Sequence, residues 1–254
     1  CTPQTKLCRM SSMLKLLFVV SSLDLTQPFS ATPAWWQLLK GLYEVGAEVI
    51  AAPYQGPPIE SLWWRAEQNP AKLPGDMFKF TRDVTRKLLP KKQQKQVSDN
   101  VEAGNDSGES ASDKAIRNTA QRVVAPLWAR HLDHVLTKEP DIDAIIFLTI
   151  PLNQMNGVAA EIQRKHNKPV FYFDGDVPAS LPNMHGFESG FRIYQGADLS
   201  EYTAFISNSK GGEEYLKELG APKTHTVWYG VDPDVFAPMS VPEQDIDIMF
   251  YGHG

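Results

Sequence analysis

Cysteine is nearly absent: the 254 residues hold two, Cys1 and Cys8, both within the first ten positions and outside any CxxC-type spacing. A disulfide scaffold and a zinc-finger module are thereby excluded. Basic charge is also scarce, with 25 Lys plus Arg against 30 Asp plus Glu and a net charge of −5, which excludes a generically basic nucleic-acid binder. The apolar run at 14–20 (LKLLFVV) falls well short of the ~20 residues that cross a bilayer, so it is not a transmembrane helix. Lys6, Arg9 and Lys15 around it invite comparison with a signal peptide. No small-x-small cleavage site follows, however, and Asp24 arrives quickly, so a buried strand is the better reading. A cytoplasmic location is therefore expected.

What is present is ordinary globular material, 42% hydrophobic and 22% charged, enough for a real core in one large domain or two small ones. The polar stretch 1–12 reads as a disordered upstream tail, with Met13 as the expected natural start. From there strand-length apolar runs alternate with helical stretches, the signature of βαβ units. The expected class is α/β, a Rossmann-like parallel sheet with helices on both faces. Strands are predicted at 14–21, 48–52, 144–149, 170–173, 204–207 and 226–229. Helices are predicted at 34–45, 114–137, 156–165 and 211–219, with Gly46 and Gly220 closing the first and last. In the long helix Ile116, Val123, Leu127, Leu132 and Val135 mark the apolar stripe, and Pro126 predicts a kink. Weaker helical fragments are expected at 59–67 and 76–89. The stretch 90–113 is almost devoid of apolar side chains and reads as a mobile surface loop. Its Lys91, Lys92 and Lys95 could touch an anionic membrane surface peripherally, although a solvated charge run is the plainer reading.

In an open parallel sheet ligands gather at the carboxyl ends of the strands, beside helix N-termini. That rule nominates Ser21, Ser22 and Asp24, then Thr149 and Asn153, Asp174 and Asp176, Asn208, Ser209 and Lys210, and finally Gly230 and Asp232.

Residues 205–238 read FISNSKGGEEYLKELGAPKTHTVWYGVDPDVFAP. This stretch resembles the end of the N-terminal domain in glycosyltransferases of the GT-B fold, with a spore-maturation-type flavour. There a strand leads into a helix ending in LG, then a strand, then NGVD-x-x-x-F-x-P as the chain crosses to a second domain. Gly230, Val231, Asp232, Phe236 and Pro238 match, while Tyr229 stands where many members have Asn. The resemblance implies that 13–238 is the acceptor-side domain and that 239–254, with DIDIMFYGHG at its end, begins a truncated donor-side domain. It implies transfer of a sugar from a nucleotide sugar to a hydroxyl of an acceptor sugar, lipid or protein, with no further cofactor. A fragment without the donor half is expected to be inactive. Two departures are plain. The loop at 21–32 lacks the Gly-Gly common there, and no E-x7-E donor motif is seen, because on this reading the donor-side region that would carry it is missing.

On this reading Asp174, Asp176 and His185 are the catalytic candidates, and Ser22, Asp24, Asn208, Lys210, Gly230 and Asp232 the substrate-binding ones. Carboxylates suit proton abstraction from an attacking hydroxyl. A D-x-D pair could instead hold a divalent cation beside a diphosphate, but two acids around Gly175 equally make a simple turn, and no metal is expected. His185 is as readily a solvated loop histidine, and His131 and His134 are read as helix packing. The pairs Trp35-Trp36 and Trp63-Trp64 could stack on sugars or bury themselves. Lys210 could meet a phosphate or remain a surface lysine. A nucleotide-sugar epimerase of the same architecture and a non-catalytic sugar- or nucleotide-binding domain remain as alternatives. A receiver-type signalling domain fits less well.

Overall fold

The computed structural model describes residues 13–24, 34–71, 111–175, 193–234 and 237. The expected tail 1–12, the helical fragment 76–89, most of the loop 90–113 and the segment 239–254 lie outside them. So do Asp176 and His185.

Among the described residues seven strands form one all-parallel sheet: β1 Lys15–Ser22, β2 Glu48–Gln55, β3 Arg65–Ala66, β4 Ala144–Leu148, β5 Val170–Asp174, β6 Ala204–Ser207 and β7 Thr224–Thr226. Their order is β3-β2-β1-β4-β5-β6-β7, so the expected Rossmann-like α/β class is found. The central strands are apolar along their middles on both faces, as fits strands covered on both sides. Period-two alternation then splits the core in two. Leu16, Phe18, Val20, Val49, Ala51, Ile146 and Phe173 face one side, over which α1 (Ala34–Glu44) lies. Leu17, Val19, Ile50, Ile145, Phe147, Tyr172 and Phe205 face the other, beneath α2 (Ala111–Lys138), α3 (Val158–His166) and α4 (Lys210–Glu218).

The amino ends of the strands are fastened by charge. Lys15 Nζ lies 2.7 Å from Glu139, 3.1 Å from Asp141 and 3.4 Å from Glu48. Burial pulls the Lys15 pKa down, but the hydrogen bonds to Glu139 and Asp141 outweigh it and leave it raised.

Several sequence expectations are corrected. Residues 59–67 form no helix. Trp63 and Trp64 fold back onto α1, Ser61 closes a turn by accepting from Trp63 N and donating its own N–H to Trp64 O, and Arg65 and Ala66 pair with β2. The long helix starts at Ala111, inside the stretch expected to be a loop, since Ala, Ser and Asp are ordinary residues for a first turn. Its buried stripe is Ala125, Trp128, Ala129, Leu132, Val135 and Leu136, while Val123 is exposed and Leu127 only half-buried. Two alanines and a tryptophan carry the seam that aliphatic side chains alone had suggested. The last strand occupies 224–226 rather than 226–229, because after Val227 N donates to Ser207 O the chain leaves the sheet.

Candidate functional site

The chain leaves β1 toward β2 on one side and reaches β4 on the other, so the switch point lies between β1 and β4. A crevice outside the carboxyl ends is the general ligand position of such sheets. Along this rim stand Ser22 of β1, Thr149 after β4, Asp174 and Gly175 at the end of β5, and Ser207 and Asn208 at the end of β6.

Thr149 holds a left-handed backbone, φ +48°. For a β-branched residue that conformation costs on the order of 1–3 kcal/mol and persists only where the surroundings enforce it. Here two bonds do so: Thr149 N donates to Phe173 O (2.9 Å), extending the ladder one step, and Gly175 N donates to Thr149 Oγ1 (3.1 Å). The carbonyl of Gly175 accepts from Asn208 Nδ2 (2.9 Å) and from the Tyr229 hydroxyl. A side chain at Gly175 would not fit beside that phenol, since a Cβ there would lie 2.6 Å from Tyr229 Oη and 3.3 Å from Thr149 Oγ1. Asn208 Oδ1 is buried and accepts from no donor among the described residues.

Asp174, expected to be catalytic, is fully buried beneath the rim. The Tyr194 hydroxyl donates to its Oδ2 at 2.5 Å, and the neighbouring Tyr172 hydroxyl donates to Ile150 O at 2.7 Å. Burial first, and then the Asp174 charge, push both phenols well above the ordinary tyrosine pKa. In this arrangement Asp174 holds the floor of the site rather than its surface.

The segment 227–234 runs back from β7 along the rim and is fastened at two points. Tyr229 reaches the end of β5, as above. Asp232 Oδ2 then meets Lys40 Nζ of α1 at 2.6 Å, and Asp232 N donates to Gln37 Oε1 at 3.2 Å. Both members of that ion pair are buried. Asp232, with Glu44 at 2.8 Å, raises the lysine pKa. Asp232 is thus tied to α1 rather than presented at the rim. Gly230 is exposed, and a Cβ placed on it would meet nothing within 4 Å.

The remaining expected residues scatter. Ser22 Oγ accepts from Asp24 N at 3.1 Å, at the mouth of the β1 side of the crevice. Lys210 is exposed and reaches Glu213 at 3.2 Å, an acid whose pKa falls to about 2 chiefly because of Lys217, Thr226 and Lys210. Ser209, not Lys210, caps α4 by accepting from Gly212 N at 3.0 Å. The tryptophan pairs stack on each other: Trp35 on Trp64 at 5.9 Å and Trp36 on Trp63 at 4.9 Å, both edge to face. His131 packs beside Trp128, and burial lowers its pKa.

Among the described residues no three His, Cys, Asp or Glu side chains are grouped to hold a metal, and no helix is long and apolar enough to cross a membrane. Sequence reasoning placed Thr149, Asp174 and Asn208 on the rim. It passed over Tyr194, Lys40 and the part Tyr229 plays. The only signal for the last was its departure from the Asn of the resembling motif. No family model matches the chain, and no curated protein matches it significantly.

Proposed function

We propose that this chain is the acceptor-side half of a cytoplasmic glycosyltransferase, which holds an acceptor hydroxyl at the carboxyl rim of its sheet while a nucleotide sugar is presented from a second domain. One observation carries the reading. The segment containing Gly230, Val231 and Asp232, which resembles the interdomain crossing of such enzymes, lies along the candidate ligand rim and is fastened to α1 by the Lys40–Asp232 pair. The polar groups there, the Thr149 hydroxyl and the Asn208 amide, are neutral and suit alcohols. The chemistry would rest on positioning of the acceptor and on stabilising the departing diphosphate. Asp176 and His185 remain the candidates for taking the acceptor proton, since Asp174 is fully buried. The complete burial of Asp174 favours a second reading, a non-catalytic sugar-binding domain.

The test is saturation-transfer NMR of the 254-residue chain with the methyl glycosides of glucose, galactose, mannose and N-acetylglucosamine, and separately with UDP. Binding of a glycoside at millimolar concentration is expected. Binding of UDP with none of the glycosides would sink the acceptor-side assignment.

A further inference from the structure

Tyr229 has no role in the reading above, yet its hydroxyl occupies the centre of the rim. We propose that the notch over Gly175 is a subsite for a ligand hydroxyl and that Tyr229 plugs it in the ligand-free chain. That the hydroxyl belongs to a sugar rests on the glycosyltransferase reading; the plug does not.

The notch is defined by what converges on one backbone unit. The Gly175 N–H is taken by Thr149 Oγ1 at 3.1 Å, which leaves the Thr149 hydroxyl proton with no acceptor among the described residues. The Gly175 carbonyl points into the same space and accepts from Asn208 Nδ2 and Tyr229. Asn208 Oδ1 stands beside it, buried and without a donor among the described residues. The set therefore offers one donor and two acceptors. An alcohol, which both donates and accepts, complements that set. A phosphate or carboxylate is a poor match, because it has no proton to give the two acceptors, and Lys210, two residues beyond Asn208, is exposed and turned to Glu213. The space exists because residue 175 has no Cβ, and it is filled by the Tyr229 phenol.

The phenol is carried on a segment suited to withdrawal. Tyr229 is already 51% exposed, its neighbours Trp228 and Val231 are more so, and Gly230 follows with open space around it. Asp232, held by Lys40 two residues beyond Gly230, keeps the segment on the rim while the ring swings. A ligand hydroxyl entering the notch would take over the bond to the Gly175 carbonyl and meet the Thr149 proton.

The test uses the full chain and three variants. Tyr229→Phe keeps the ring and removes the plug's hydroxyl, Thr149→Val removes the free donor, and Thr149→Ser restores it. Hydrogen exchange read by mass spectrometry over 227–234, without ligand, should be about 2- to 10-fold faster in Tyr229→Phe, the range one hydrogen bond spans. With the four methyl glycosides as probes, Tyr229→Phe should bind tighter and Thr149→Val weaker, each by about 2- to 10-fold, and Thr149→Ser should recover wild-type affinity. Unchanged exchange in Tyr229→Phe overturns the plug. A glycoside bound with equal affinity by all four proteins overturns the subsite while leaving the glycosyltransferase reading standing. Faster exchange with no glycoside bound, even by Tyr229→Phe, overturns the sugar subsite and counts against that reading as well.

Discussion

Two buried tyrosines offer the same chemical deletion with opposite expected outcomes. Tyr194 and Tyr202 are both almost wholly buried, and burial drives both phenols well above their ordinary pKa. The Tyr194 hydroxyl donates to the buried Asp174 carboxylate at 2.5 Å, whereas the Tyr202 hydroxyl has no hydrogen-bond partner among the described residues. A hydrogen bond to a charged group contributes about 1.5–3 kcal/mol net. Asp174 has a further interaction besides the bond from Tyr194, which the substitution leaves in place. Tyr194→Phe is therefore placed at about 2 kcal/mol of destabilisation, a Tm decrease of roughly 4–8 °C for a chain of this size. In Tyr202→Phe the ring keeps its edge-to-face neighbours Phe147, Tyr172 and Phe205 while a desolvated, unsatisfied hydroxyl disappears. That change should be neutral or stabilising by up to about 1 kcal/mol. The assay is urea unfolding followed by circular dichroism, with unchanged m-values as the check that both variants unfold from the same state. Equal losses in the two variants, or a larger loss in Tyr202→Phe, would refute the assignment of these bonds.

Other expectations are more local. Burial lowers the His131 pKa below its ordinary 6.5, so the unfolded chain binds that proton more readily than the folded one. Its contribution to stability is thus complete above the ordinary value and is lost as pH falls through the folded one. His131→Gln should flatten the decline of the urea midpoint between about pH 7.5 and pH 5, and an unaltered slope would show that other groups cause it. Glycine substitutions at the end of α1 should differ in sign. Gly41→Ala fills open space inside the helix and should gain about 0.5–1 kcal/mol, while Gly46→Ala forces a side chain into φ +93° and should lose about 1–2 kcal/mol, both read by thermal unfolding.

The sheet was legible because its signal is redundant. AIIFL and VFYFD are apolar on both faces, a pattern that suits buried parallel strands, and Gly46 and Gly220 do turn up with positive φ just past their helices. Boundaries failed where tertiary contacts overruled local pattern. Trp63 and Trp64 look compatible with a helix until α1 supplies Trp35 and Trp36 as partners. The TVWY run reads as a strand until the end of β5 offers Tyr229 a carbonyl. The rim was located by topology alone, but chemistry within it was not. Whether Asp174 faces solvent or the core depends on its register with Ser207, which no sequence window displays. Likewise Lys40 and Asp232 stand 192 residues apart, and nothing local to either marks the other.

The shape of the sheet has a consequence for how copies of the chain meet. Among the described residues its outermost strands are its shortest, two residues in β3 and three in β7, while the longest, β1 and β2, lie inside. A short border exposes few unpaired backbone groups. Such borders are poor templates for a foreign strand, so strand addition at β3 or β7 should be disfavoured.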